Sequence, residues 1–139
     1  MIPVPLALQL REAGLRWTPR PGDRFVLPHR GMDDEVFVLS DMTVEVHDFP
    51  TGRVIGFNGV TEWALDSVDQ HEALWLPAEG QLRDRLGGLF VRLEAAGGGY
   101  AVTVRLLGSE RRHEGPDAPQ AYANALLDVL RSVTEPVPG

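Results

Sequence analysis

Cysteine and lysine are both absent from this chain of 139 residues, and each absence excludes something. Without cysteine there is no disulfide, no thiolate metal ligand and no thiol nucleophile. Without lysine, all 13 basic side chains are arginine, set against 20 acidic ones for a formal net charge of -7. A surface of that sign repels phosphate backbones, so no nucleic acid is expected among its partners. Arginine in place of lysine also fits a GC-rich coding sequence. No apolar run approaches the roughly 20 residues a membrane helix needs. The opening MIPVPLALQL is apolar, but Gln9, Arg11 and Glu12 follow at once, with no basic leader and no small-residue cleavage site. That pattern predicts a cytoplasmic protein.

Catalytic signatures are scarce as well. Gly97-Gly98-Gly99 sits between two strand-like runs with no lysine-bearing helix behind it, so it predicts a hairpin turn, not a phosphate cradle. Ser40, Ser67, Ser109 and Ser132 all lack the flanking glycines of a nucleophile elbow. His29, His47, His71 and His113 are never three or four residues apart, so no helical pair of zinc ligands exists. Neither a cofactor nor a metal is expected.

What the chain does carry is β-patterning. From Met32 to Gly59 three strand-like runs follow one another, at Glu35–Leu39, Met42–Phe49 and Val54–Phe57, separated at Ser40-Asp41 and Pro50-Thr51-Gly52. In the second, Met42, Val44 and Val46 alternate with Thr43, Glu45 and His47. A short strand is predicted at Phe25–Leu27, after a turn marked by Pro19, Pro21 and Gly22. Further on, Leu89–Glu94 and Tyr100–Leu107 read as a hairpin, and Ser109–Glu114 as a polar edge strand. Helices are predicted at Leu6–Ala13, at Thr61–Gln70, from Pro77 to Leu86 with Leu82 and Leu86 buried, and from a cap at Asp117 to Val133. In the last helix Gln120 would complete a capping box, and Ala121, Ala125, Val129 and Leu130 would face inward. The expected fold is therefore α+β. It is a single domain over residues 1–133, with one antiparallel sheet of about five to six strands, helices on one face or end, and a flexible tail over 134–139.

Three residues stand out as candidates for binding. Glu45 and His47 share a strand face beside Asp48, and a Glu-x-His pair can bind a metal or move a proton; on a half-buried sheet the same pair is simply the solvated face. Trp63 falls where a groove could form, whereas Trp17 and Trp75 have apolar neighbours and read as core. Asp33-Asp34-Glu35, followed by Asp41, is an acidic cluster without the spacing of a calcium loop; contact with a basic partner suits it best.

The run MDDEVFVLSDMTVEVHDFPTGRVIGFNGVTEWALDSV from Met32, with the earlier EAGLRWTPRPGDRF and the later EALWLPAEGQLRDRLGG, resembles a group of small, largely uncharacterised actinobacterial proteins. Some of them are labelled pilus-assembly proteins. The order of a leucine-rich helix, AGL-W-P, GD-F, short strands, WLP, L-x-x-L and a final Ala/Leu helix is more faintly similar to small phage-encoded proteins of unknown function. Neither resemblance implies an active-site residue. By elimination, the sequence points to a non-enzymatic protein-binding or regulatory module that engages an unidentified protein partner or forms a homodimer. The alternatives are a minimal metal-assisted or acid–base hydrolase using Glu45 and His47, and a phage- or mobile-element-related accessory or inhibitor protein.

Overall fold

The computed structural model describes residues 1–28, 32–39, 44–49, 52–57, 67–69 and 73–134, with side chains over 1–28, 35–39 and 73–133. Among the described residues three helices and nine strands alternate as an α+β chain: α1 Val4–Glu12, β1 Arg24–Leu27, β2 Met32–Val38, β3 Val44–Phe49, β4 Gly52–Phe57, β5 Ser67–Asp69, β6 Leu74–Leu76, α2 Glu79–Leu86, β7 Phe90–Ala96, β8 Gly99–Leu106, β9 Ser109–Gly115 and α3 Ala118–Thr134. The single sheet of five to six strands expected from the sequence is not what forms. The strands make separate three-stranded antiparallel sheets, ordered β2-β1-β6, β3-β4-β5 and β7-β8-β9. Periodicity marks strands but not their partners, which is why the sheet count was not legible.

The chain divides into two compact units: residues 17–76, and residues 1–16 together with 77–139. In the first, the turn Arg20-Pro21-Gly22-Asp23 closes with Asp23 N–H donating to the Arg20 carbonyl at 3.1 Å. Proline at its second position and Gly22 at φ +90 are what a type II turn requires. The turn is tied to the end of β2, since Gly22 N–H donates to the Leu39 carbonyl (2.8 Å) and Leu39 N–H to that of Asp23 (3.0 Å). Phe25 on β1 lies opposite Phe37 on β2 and Trp75 on β6. Opposed residues of an antiparallel pair share a face, so these form one aromatic row. Phe25 and Phe37 stack at 5.5 Å, and Trp17 covers the row at 5.6 Å from Phe25 and 6.5 Å from Trp75.

β3, β4 and β5 also belong to this unit. Val44 to Phe49 pairs with Gly52 to Phe57, so Gly52, expected in the turn, is the first residue of β4, opposite Phe49; Pro50 and Thr51 lie outside the described residues. The helix expected over Thr61–Gln70 is corrected at its end. Ser67–Asp69 is a strand, with Val68 opposite Ile55 on β4. A short segment cannot nucleate a helix on propensity alone, and a ready strand edge offers every backbone group a partner.

In the second unit β7, β8 and β9 form a meander with α3 packed across β8 and β9, and α1 and α2 packed on α3. Gly97 and Gly98, at φ +54 and +83, make the two-residue turn between β7 and β8. The β8–β9 turn repeats that conformation with Leu107 (φ 53) and Gly108 (φ 81), so the strand expected to reach Leu107 ends at Leu106. β8 alternates in direction but is buried on both faces: Val102 and Val104 lie opposite His113 and Arg111 on the α3 side, and Ala101 and Thr103 on the other side are buried as well. α2 buries Leu82 and Leu86, as expected, and stops at Gly87. Asp117 caps α3, its carboxylate accepting the Gln120 N–H at 2.9 Å. The Gln120 side chain donates to the same carboxylate, instead of reaching back to the cap backbone. α3 buries more than one stripe: Ala121 and Ala125 are joined by Tyr122, Ala123, Leu126 and Leu127 because sheet and helices enclose it. Gly115 permits the close approach of β9 to this helix, since a Cβ there would sit 2.5 Å from the Ala121 nitrogen. No helix of the described residues is long and apolar enough to cross a membrane.

Candidate functional site

Glu45 and His47 lie on β3, opposite Gly56 and Val54, and their side chains are outside the described ones. Trp63 lies outside the described residues altogether, as do His29, Asp41 and His71 and the tail from 135 on. Trp17 and Trp75 are buried, 8% and 7% exposed, so neither is a surface anchor. The Trp17 indole N–H donates to the Asp23 carboxylate at 2.9 Å, and the Arg20 N–H donates to the same oxygen at 3.0 Å. Asp23 is thus a buried carboxylate satisfied by its own turn, with a structural role.

Asp33, Asp34 and Glu35 are consecutive on β2. Among the described residues this strand pairs on one side only, with β1. It is also where large apolar side chains reach solvent: Val36 is 41% exposed and Val38 59%, with Glu35 exposed beside them. Exposed apolar side chains on an edge strand favour pairing with a further strand. The Glu35–Leu39 run is continuously apolar from Val36 on, as a central strand would be, and such runs do not distinguish a buried strand from a sticky edge.

A second constellation joins β9 to α3. Asp128 on α3 accepts hydrogen bonds from Arg111 Nη1, at 3.0 and 3.1 Å to its two oxygens, and lies 3.0 Å from His113 Nε2. A carboxylate only accepts, so the Nε2 position carries a proton. Ser132, one turn on, bonds Asp128 at 3.4 Å and Arg111 at 3.1 Å. Burial pushes the Asp128 carboxyl up, but the hydrogen bonds and charges of Arg111 and His113 outweigh it and hold the carboxyl below its ordinary range. The members are those of a serine triad, in the wrong order. A triad places the imidazole between hydroxyl and carboxylate; here the carboxylate stands between imidazole and hydroxyl, so His113 has no route to activate Ser132. The cluster clamps an edge strand to its helix. Asn124 adds to the clamp, donating to the Glu114 carbonyl at 2.9 Å. The sequence did hold a signal, namely Asp128 and Ser132 spaced i, i+4 in an Ala/Leu helix, and Arg111 and His113 spaced i, i+2 on a strand.

The opposite face of the β7-β8-β9 sheet is a ladder of charge. Arg92, Thr103 and Arg112 form one cross-strand row, and Glu94, Ala101 and Glu114 the next. Ion pairs link Arg92 to Glu94 and Glu110, Arg105 to Glu110, and Arg112 to Glu94 and Glu114. Ala101 and Thr103 are short and lie beneath the stems of these longer neighbours, which explains their burial on a face that is otherwise solvated. The Thr103 hydroxyl has no hydrogen-bond partner among the described residues. Hydrogen bonding to Arg105, and then the charges of Arg92 and Arg105, hold the Glu110 carboxyl below its ordinary range.

Among the described residues no group of three or more His, Asp or Glu side chains is arranged to hold a metal ion. No protein-family model matches this chain, and neither a curated protein nor a solved structure does.

Proposed function

We propose that the protein is a binding module that takes an extended, basic segment of a partner protein along the open edge of β2. The observation that carries this reading is the exposure of Val36 and Val38 on a strand that, among the described residues, pairs only with β1. Strand addition uses the edge N–H and C=O groups for affinity and alternate side chains for choice. Val36 and Val38 supply an apolar contact on one face of the incoming strand. Asp33, Asp34 and Glu35 on the same strand, in a chain of net charge -7, favour arginine or lysine in the incoming segment. The acid–base alternative on Glu45 and His47 has no described side-chain geometry in its support.

The test is affinity capture from lysate of the native host, comparing the wild type with the Val36→Lys/Val38→Lys variant, followed by hydrogen exchange on the captured complex. The reading expects a partner that the variant loses and that slows exchange along β2. A partner held equally by both proteins, with β2 exchange unchanged, rejects it.

A further inference from the structure

The β7-β8-β9 sheet has two edges, and they are treated differently. β9 reads Ser-Glu-Arg-Arg-His-Glu-Gly and is fastened to α3 through Arg111, His113 and the Glu114 carbonyl. β7 reads Phe-Val-Arg-Leu-Glu-Ala-Ala, pairs among the described residues with β8 alone, and has no buried side chain. Val91 on it is 37% exposed. A register shift at Val91 interrupts the strand near its start and leaves Arg92 to Ala96 in regular pairing with Thr103 to Gly99. An open strand of this kind is a template for another strand.

We infer that β7 is a self-association edge, where two copies of this chain pair antiparallel about a two-fold axis at Leu93. Charge picks both the occupant and the register. Leu93 lies in the row of Val102 and His113, and His113 bonds α3, so Leu93 is on the helix-bearing face. Arg92 and Glu94 are on the charged face, with side chains 50% and 42% exposed. A two-fold that continues the sheet without inverting its faces must set each residue opposite one of the same face. Three central registers satisfy this. Centring on Arg92 places arginine against arginine, and centring on Glu94 places glutamate against glutamate. Centring on Leu93 places Arg92 opposite Glu94 of the partner subunit and Glu94 opposite Arg92 of the partner subunit. Like charges directly opposed are unfavourable and opposite ones favourable, so only the Leu93 register is self-complementary.

The intramolecular pairs leave room for this. Arg92 lies 3.7 Å from Glu94 and 3.6 Å from Glu110, and Glu94 lies 3.5 Å from Arg112. All three separations exceed those of a charge-assisted hydrogen bond, which both groups can still make. The dimer is one six-stranded sheet, with both α3 helices on one face and the ion ladder running unbroken across the other. A ladder from Val91 to Ala95 is short, so the association depends on concentration and weakens with salt.

Sedimentation velocity on the full chain over a concentration series tests this, with Arg92→Glu and Glu94→Arg made separately. The wild type should dimerise. Each variant alone opposes like charges at both positions and should lose the dimer. An equimolar mixture of the two restores opposite charges in the same register, and the dimer should return. Thermal melts confirm that both variants are folded. A wild type that stays monomeric at the highest concentration overturns the proposal. So do variants that dimerise alone as the wild type does, or folded variants whose mixture stays monomeric while the wild type dimerises.

Discussion

The β2-β1-β6 and β7-β8-β9 sheets solve the same problem with different materials. Each has three antiparallel strands, and each buries its central strand on both faces: Phe25, Val26 and Leu27 in one, Ala101 to Val104 in the other. In the first sheet the central residues are large and apolar, and an aromatic row crosses all three strands. In the second, one face is apolar beneath α3, while the other hides only alanine and threonine under an arginine–glutamate ladder. Residue size on the second face therefore reports what covers it. Large apolar side chains require an apolar cover, whereas short ones can be enclosed by the stems of charged neighbours. The edges differ in the same sense. β9 is clamped and charged, β2 displays valines, and β7 displays an Arg-x-Glu pattern complementary to itself.

Removing an aromatic from the first sheet should have the largest effect. Phe25 is 2% exposed and touches both Trp17 and Phe37, so Phe25→Ala should cost about 3–5 kcal/mol in denaturant melts. A loss below 1 kcal/mol would mean that the aromatic row does not carry that sheet.

An intermediate effect belongs to the clamp of the second sheet. Asp128→Asn removes the charged acceptor of Arg111 and His113 and should cost about 1–2 kcal/mol at neutral pH, with the partial exposure of Arg111 already discounted. The pH dependence has a definite sign. The folded-state carboxyl of Asp128 is lowered, so its contribution is fully present above the ordinary aspartate value of about 4 and is lost as pH falls through the folded value. Stability curves of wild type and Asp128→Asn should therefore converge on acidification below about pH 4 and run parallel above it. Convergence at neutral pH would place the stabilisation elsewhere.

The smallest effect lies beneath the ion ladder and has the opposite sign. Thr103→Val keeps the β-branched shape and removes a buried hydroxyl that lacks a partner among the described residues, so it should stabilise by about 1 kcal/mol. A destabilised variant would show that the hydroxyl is satisfied, and that the outer face is wetter than the ladder implies.

Much of the local structure was legible because it rests on local chemistry. Pro21-Gly22 specified a turn, Gly97-Gly98 a hairpin, Gly87 a helix stop and Asp117 a cap, each through backbone conformations or bonds spanning a few residues. The turn at Leu107-Gly108 was missed because leucine carries no left-handed preference; the pairing of Leu106 with Ser109 imposes it there. The Asp128 cluster was overlooked for a related reason. Its members are fifteen and more residues apart where they bond β9 to α3, whereas Glu45 and His47 lie only two residues apart on one strand, where short-range spacing is legible.

The sequence alone determined that this chain has no thiol, no lysine-bearing phosphate-loop motif, a net acidic charge and the α+β alternation of its elements, because each follows from residue type or short-range periodicity. Only the tertiary structure decided how the strands divide among separate sheets, which strands became edges, and that His113 meets Asp128 while Ser132 stays on the far side of the carboxylate. Strand pairing and side-chain convergence depend on which long-range contacts win the competition for burial and hydrogen bonds, and spacing along the chain does not encode that competition.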